Sequence, residues 1–294
     1  MIKVAVIGLD TSHSIEFPRR MQAPDCPKNQ SVPGMKTISC LRFETPYQNR
    51  EGLDKRQKQL EEWGVNVTED FEEAIQGSNA IMLEINDGSF HLEYFKKVCA
   101  LGKPVFLDKP LAMTVADGRE IMELMRRHNT KAWSGSSIPF CRPLTKILNE
   151  AGQVERAHAF GPMGESPAGD SLVWYGVHTF EHLQRIMGRG AVEVRAFETD
   201  RSVVALVKFK DGREGTVELT RKVYAYGGTI WGSKTIPFLL DATFSYRDIL
   251  RLIKAFFLGG QPPVDMETTF EGLAMMCAAR KAIETGKPAE VETL

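Results

Sequence analysis

The stretch Gly102-Lys103-Pro104-Val105-Phe106-Leu107-Asp108-Lys109-Pro110 limits the choice of fold more than any other part of the chain. Val105 to Leu107 is a short apolar run behind a helix-like segment, His91 to Leu101, that Gly102 ends. Such a run reads as a strand buried on both faces of a parallel sheet. A carboxylate, an ammonium and a proline follow at once. Open α/β sheets bind ligands beyond the carboxyl ends of their strands, so the pair Asp108 and Lys109 stands where such a sheet does its chemistry. The other reading of the same residues is an ion pair beside a turn proline.

The chain ahead of this stretch alternates in the same way. Val4 to Ile7 is another apolar run, and Gly8-Leu9-Asp10-Thr11-Ser12-His13 leads into a helix predicted from about Ser12 to Met21, with Thr11 or Ser12 as its cap. This is the place of a phosphate-binding turn, yet the pattern G-x-G-x-x-G would want glycines at Asp10 and His13, and only Gly8 is present. A carboxylate about 5 Å from a phosphate costs about 3 kcal/mol at an effective dielectric near 20, roughly a hundredfold in affinity unless Asp10 turns away. The helix N-terminus, the backbone N–H groups and the Thr11 and Ser12 hydroxyls still suit a phosphate. Ala23 to Gly34, with three prolines, reads as an inserted loop, and Lys36 to Phe43 as the second strand. Glu44 lies near its end, where an acid would hold a ribose, and Arg42 beside it would favour a 2′-phosphate; both also read as ordinary strand-end charges. Ala80 to Ile85 is the next buried strand, and Glu84 inside it needs a partner. Asn86 to Ser89 forms the following turn, and Val115 to His128 and Ala132 to Gly135 supply a further helix and strand.

After about Pro139 the rhythm changes. Gln153 to Phe160, Ala191 to Thr199, Ser202 to Phe209 and Glu214 to Leu219 are strands in a row, with an Asp211-Gly212 hairpin turn and helices near Trp174–Met187, Tyr246–Leu258 and Met266–Thr285. A chain of 294 residues is long enough for two domains, which the pattern divides at 1–135 and 136–294. The expected fold class is α/β, an N-terminal Rossmann-type parallel sheet followed by an α+β domain with a mainly antiparallel sheet. Net charge is −1 with no basic stripe, which speaks against nucleic acid as a partner. The five cysteines are scattered with no C-x-x-C pair, arguing against a disulfide framework or a cysteine zinc site and for a reducing, cytoplasmic setting. No signal peptide or membrane-spanning run is evident.

Two pieces of this chain resemble the glucose-fructose oxidoreductase and inositol dehydrogenase family, Gfo/Idh/MocA. His91 through Pro110 ends in Asp108-Lys109-Pro110, similar to the family's Glu-Lys-Pro motif; Trp174-Tyr175-Gly176-Val177-His178-Thr179-Phe180-Glu181 looks like its D-x-G-x-H-x-x-D segment, with Gly176 and His178 in register. The resemblance implies a domain that binds NAD or NADP and a second domain whose sheet faces the cofactor. It implies a small-molecule substrate, a sugar, cyclitol or related polyol, whose carbinol carbon loses a hydride, and a homo-oligomer paired through the second sheet. Lys109 and His178 take the catalytic positions. Gly8 to Ser12, Arg42, Glu44, Asn86, His91 and Asp108 take those around the cofactor, and Trp174, Tyr175 and Glu181 join Lys109 and His178 around the substrate. A lysine serves as a base where burial or a neighbouring cation favours its neutral form. Trp174 replaces an aspartate common in the family, and Ile138 and Pro139 stand where many members carry arginines near the substrate.

Three other readings use the same residues. The fold with an altered cofactor turn could serve as a small-molecule binding or regulatory module. His178-Thr179-Phe180-Glu181-His182 matches the zinc-hydrolase pattern H-x-x-E-H, though no downstream carboxylate completes it, and no metal ligands are assigned. Asp10 and Glu84, near the strand ends, form a carboxylate pocket for a cation or amine.

Overall fold

The computed structural model describes residues 1–294. In chain order its first elements are β1 (Ile2–Ile7), α1 (His13–Gln22), β2 (Met35–Leu41), α2 (Arg50–Glu62), β3 (Asn66–Thr68), α3 (Phe71–Ile75), β4 (Ala80–Leu83), α4 (His91–Val98), β5 (Val105–Leu107), α5 (Val115–His128) and β6 (Ala132–Ser134). There follow α6 (Arg142–Ala151), β7 (Val154–Pro162), α7 (Ser171–Met187), β8 (Ala191–Glu198), β9 (Ser202–Phe209), β10 (Glu214–Thr220), β11 (Gly227–Gly232), β12 (Thr235–Leu239), α8 (Ser245–Phe257), α9 (Met266–Thr285) and β13 (Ala289–Glu290). The chain forms two compact units: Met1–Ala112, Asp117–Gly135 and Tyr246–Met266 make the first, and Met113–Ala116, Ser136–Ser245 and Glu267–Leu294 the second. No helix is long and apolar enough to cross a membrane.

The first unit is built on six parallel strands in the order β3-β2-β1-β4-β5-β6. Val4 to Ile7, Ala80 to Leu83 and Val105 to Leu107 are all fully buried, as strands covered on both faces must be. Strand order reverses between β1 and β4, which makes that edge the topological switch point. The register there decides what sits side by side. Ile7 is opposite Leu83 and Leu83 opposite Leu107, so Gly8, Glu84 and Asp108 are each the next residue beyond their strand, on neighbouring strands. Glu84 therefore lies just past β4 rather than inside it.

Residues 246–266, assigned from the sequence to the second domain, pack with the first unit. The Tyr246 ring meets the edge of His13 at 4.9 Å, Phe256 that of Trp133 at 6.3 Å, and Arg247 donates to the Asn29 carbonyl at 3.0 Å. Nothing local signals this return, because an amphipathic helix does not say which sheet its apolar stripe covers.

The second unit carries a seven-stranded sheet in the order β12-β11-β7-β10-β9-β8-β13, antiparallel except for the β7–β10 pair. Along β9 and β10 buried residues alternate with half-buried ones, so one face is covered more deeply than the other. Gly176 lies within α7 rather than introducing it. Asp170 caps that helix by accepting the Leu172 amide at 2.8 Å, and a Cβ at Gly176 would sit 2.8 Å from the Leu219 side chain, so the glycine lets helix and sheet approach closely. Strands β11 and β12 and helix α6 have no counterpart in the sequence reading. Gly227 and Gly228 break the strand pattern of β11 and are there for space: a Cβ at Gly228 would lie 2.0 Å from the His158 carbonyl oxygen.

Candidate functional site

Gly8 has φ +103°, and a Cβ there would lie 2.4 Å from the Glu84 carbonyl oxygen, so the first motif glycine is required for both conformation and space. Leu9 is buried, its carbonyl accepting from Arg56 at 2.7 Å. Asp10 turns its carboxylate inward, where it accepts the Thr45 hydroxyl at 2.8 Å and the Asn86 backbone N–H at 2.9 Å. Burial pushes the Asp10 carboxyl up, and the bonds from Asn86 and Thr45 oppose this. Asp10 thus ties the turns after β1, β2 and β4 together, and its second role as one side of a cation pocket with Glu84 is displaced by these bonds. Thr11 accepts the His13 amide at 3.3 Å, while Ser12, at the N-cap of α1, is exposed and makes no side-chain capping bond. The exposed Ser12 hydroxyl at the start of α1 and the carboxylate turned aside are compatible with the phosphates of a dinucleotide.

Two other expected cofactor residues have different work. Arg42 reaches Asp54 at 2.8 Å, Gln57 at 2.5 Å and Glu69 at 3.7 Å, so its charge is met within the protein, whereas Glu44 beside it is exposed. His91 is fully buried, its Nε2 2.9 Å from the Ile85 carbonyl and its Nδ1 3.2 Å from that of Leu111. Its ring links the turn after β4 to the loop after β5, a structural post rather than a cofactor contact.

At the sheet edge, Asp108 is 1% exposed; its Oδ1 accepts the Lys109 backbone N–H at 2.8 Å and lies 2.9 Å from His13 Nδ1. Burial acts to raise the Asp108 carboxyl, but the nearby charges of His13 and Lys109 outweigh it and hold the group below its ordinary range. Glu84 goes the other way, pushed well up by burial and by the neighbouring Asp108 charge. Its carboxylate is 0% exposed and neither oxygen has a hydrogen-bond partner. Lys109 is 4% exposed and precedes a cis bond to Pro110.

In the second unit, His178 and Glu181 are both held by Ser136. The Ser136 hydroxyl lies 2.6 Å from His178 Nδ1, and the Ser136 backbone N–H donates to Glu181 Oε2 at 2.7 Å. That hydroxyl also accepts the Ile138 amide at 3.3 Å, which fixes Ser136 between the loop backbone and the ring. Tyr175 presents its ring to His178 at 5.0 Å, and Trp174 packs on Tyr175 at 5.2 Å, both half-buried. His182, the last member of H-x-x-E-H, is fully buried beside Phe238 with neither ring nitrogen bonded; burial and then the His158 charge hold it down at about 3. With Nδ1 of His178 and a Glu181 oxygen both committed to Ser136, the zinc-hydrolase pattern does not assemble a ligand set.

Sequence reasoning passed over His13, Ser136 and Arg56. His13 carried a usable signal, an imidazole where the phosphate-binding pattern wants its third glycine. Ser136 carried none, being one serine in the run Ser134-Gly135-Ser136-Ser137.

Residues 50–136 match the Gfo/Idh/MocA family model, described as an oxidoreductase family with an NAD-binding Rossmann fold. A myo-inositol 2-dehydrogenase of Thermotoga maritima is 25% identical, the match covering 81% of this chain and 88% of that protein. Among solved structures, a probable dehydrogenase from Thermotoga maritima superposes with a TM-score of 0.81 at 19% identity over 99% of both chains. A scyllo-inositol dehydrogenase from Lactobacillus casei, with bound NAD(H) and scyllo-inositol, gives a TM-score of 0.80 at 15% identity over 99% of both. These two share the fold. The Asp108-Lys109-Pro110 strand end lies inside the residues that match the Gfo/Idh/MocA family model, and the similarity to the myo-inositol 2-dehydrogenase runs along most of the chain.

Proposed function

We propose that the protein is an NAD-dependent dehydrogenase acting on a carbinol of a cyclitol, sugar or related small polyol. The observation that carries this is Lys109, buried at the switch point of the parallel sheet, its backbone N–H fixed by an Asp108 carboxylate that His13 holds in turn. A bound NAD supplies the hydride acceptor. The Lys109 amine takes the hydroxyl proton as the carbinol is oxidised to a carbonyl. In the second unit, His178, held at Nδ1 by Ser136, and the half-buried rings of Trp174 and Tyr175 are the groups suited to a polyol. Glu181 acts on the substrate only indirectly, by anchoring Ser136. Arg42, drawn to Asp54 and Glu69, is a poor receiver for a 2′-phosphate, and exposed Glu44 suits a ribose diol, which favours NAD over NADP.

The half-buried row Phe160, Glu218 and Val204, with His158, Thr216 and Leu206 beside it, lies on the less covered face of the second unit's sheet and supports pairing with a second copy. Five free cysteines support a cytoplasmic setting. Calorimetry with NAD, NADH, NADP and NADPH, followed by NAD reduction with myo-inositol, scyllo-inositol and simple sugars, tests the proposal. Binding of NAD ahead of NADP with turnover of at least one polyol is expected; no binding of any dinucleotide at millimolar concentration overturns it.

A further inference from the structure

We propose that His13, Glu84 and Asp108 form a site for one divalent transition-metal ion. The strand register carries two of the ligands: Glu84 and Asp108 are the first residues beyond adjacent parallel strands, on the same side of the switch point. His13, the first residue of α1, completes the set from the helix. One ligand atom from each of the three lies within 4.8 Å of the others, with His13 Nδ1 2.9 Å from Asp108 Oδ1 and 3.8 Å from Glu84 Oε2. Atoms coordinating one ion at about 2.1 Å stand about 3.0–3.4 Å apart in octahedral or tetrahedral geometry, so small side-chain rotations suffice.

The second observation is the state of the carboxylates. Both Glu84 oxygens and Asp108 Oδ2 are buried with no hydrogen-bond partner. A buried carboxylate is ordinarily paired, hydrogen-bonded or bound to a metal. Asp10 shows the ordinary outcome a short way off, with both its oxygens taken by Thr45 and Asn86. A dication gives the orphaned oxygens a partner. One imidazole nitrogen with two carboxylate oxygens suits Zn²⁺, Mn²⁺ or Co²⁺ rather than Ca²⁺ or Mg²⁺, which favour oxygen alone. Nothing in this depends on the dehydrogenase proposal, and a failure to bind NAD leaves it standing.

The test takes the full-length protein, stripped with a chelator, and titrates it with Zn²⁺ and Mn²⁺ by calorimetry and with Co²⁺ by visible absorption. One ion per chain is expected, with Co²⁺ ligand-field bands. Glu84→Gln and His13→Asn should each weaken binding by more than the about 10- to 100-fold that loss of an outer-shell partner costs. No stoichiometric binding, or unchanged affinity in both variants, overturns the proposal. Should either variant fail to fold, anomalous scattering from Mn²⁺-soaked wild-type crystals decides: a peak among His13, Glu84 and Asp108 supports the site, and a peak elsewhere or none refutes it.

Discussion

The two polar clusters of this protein are satisfied to very different degrees. Around Ser136 in the second unit, one residue serves two others: its hydroxyl meets His178 and its amide meets Glu181, each within 2.7 Å. Around Asp108 in the first unit, three carboxylate oxygens are buried without a donor. The first arrangement is a positioning device, in which one serine holds a histidine ring and a carboxylate at set places. The second stores unfavourable electrostatics at the edge of a rigid sheet, the kind of strain found where a fold meets a cation or a substrate. The same chain can afford the second cluster because Val4 to Ile7 of β1 and the whole of β4 and β5 around it are apolar and buried.

If the Asp108 side is where bonds are made and broken, removing its amine must cost most. Lys109→Met keeps the bulk and deletes the proton acceptor. Turnover should fall by about 10²-fold or more, with NAD affinity nearly unchanged. Steady-state kinetics beside calorimetry separates the two, and turnover within threefold of wild type would break the distinction between the clusters.

A buried histidine outside both clusters sharpens the comparison through pH. His182 is neutral in the fold, held down at about 3 by burial and then by the His158 charge, against an unfolded value of 6.5. The unfolded chain takes up its proton first, so the stability His182 contributes is present above about 6.5 and is lost as pH falls toward 3, by at most about 1.4 kcal/mol per pH unit. His182→Leu should flatten the acid limb of the stability curve, making the variant more stable than wild type by roughly 2 kcal/mol near pH 5, as read by denaturant midpoints. An unchanged slope would place the acid sensitivity elsewhere.

Ser136→Ala tests the satisfied cluster directly. It removes one hydrogen bond worth about 0.5–1.5 kcal/mol, so kcat/KM should drop by up to about tenfold, and the acid limb of its pH profile should move because His178 loses the partner at its Nδ1. A tenfold loss with an unmoved profile would mean that Ser136 only braces the loop.

How much of this could be read from the residues follows from the range of the forces involved. Local signals located the strands of the first sheet, because burial on both faces leaves unbroken apolar runs, and they marked Glu84 as out of place. Its partners were not legible: His13 and Asp108 are 95 residues apart, and only strand register brings them together. Ser136 and His178, 42 residues apart, pose the same difficulty without even an unusual residue type. The return of residues 246–266 to the first unit, and the glycine-broken strand β11, depend on what packs against them rather than on their own pattern.

The smallest expected effect concerns Asp10, where sequence and structure give different numbers. Read as a charge facing phosphate, the carboxylate costs about 3 kcal/mol, so Asp10→Gly would tighten a dinucleotide roughly a hundredfold. In the fold the carboxylate is 2% exposed and points at Thr45 and Asn86, and its charge partly opposes the burial that holds the Arg56 guanidinium down. Glycine would leave the Thr45 hydroxyl and the Asn86 amide without an acceptor, a loss of about 1–3 kcal/mol in stability. Asp10→Gly should therefore lower the melting temperature while changing NAD affinity by less than about tenfold, a shift of under about 1.4 kcal/mol. A hundredfold tightening with unchanged stability would show the carboxylate facing the ligand, and the inward bonds to Thr45 and Asn86 would lose their meaning.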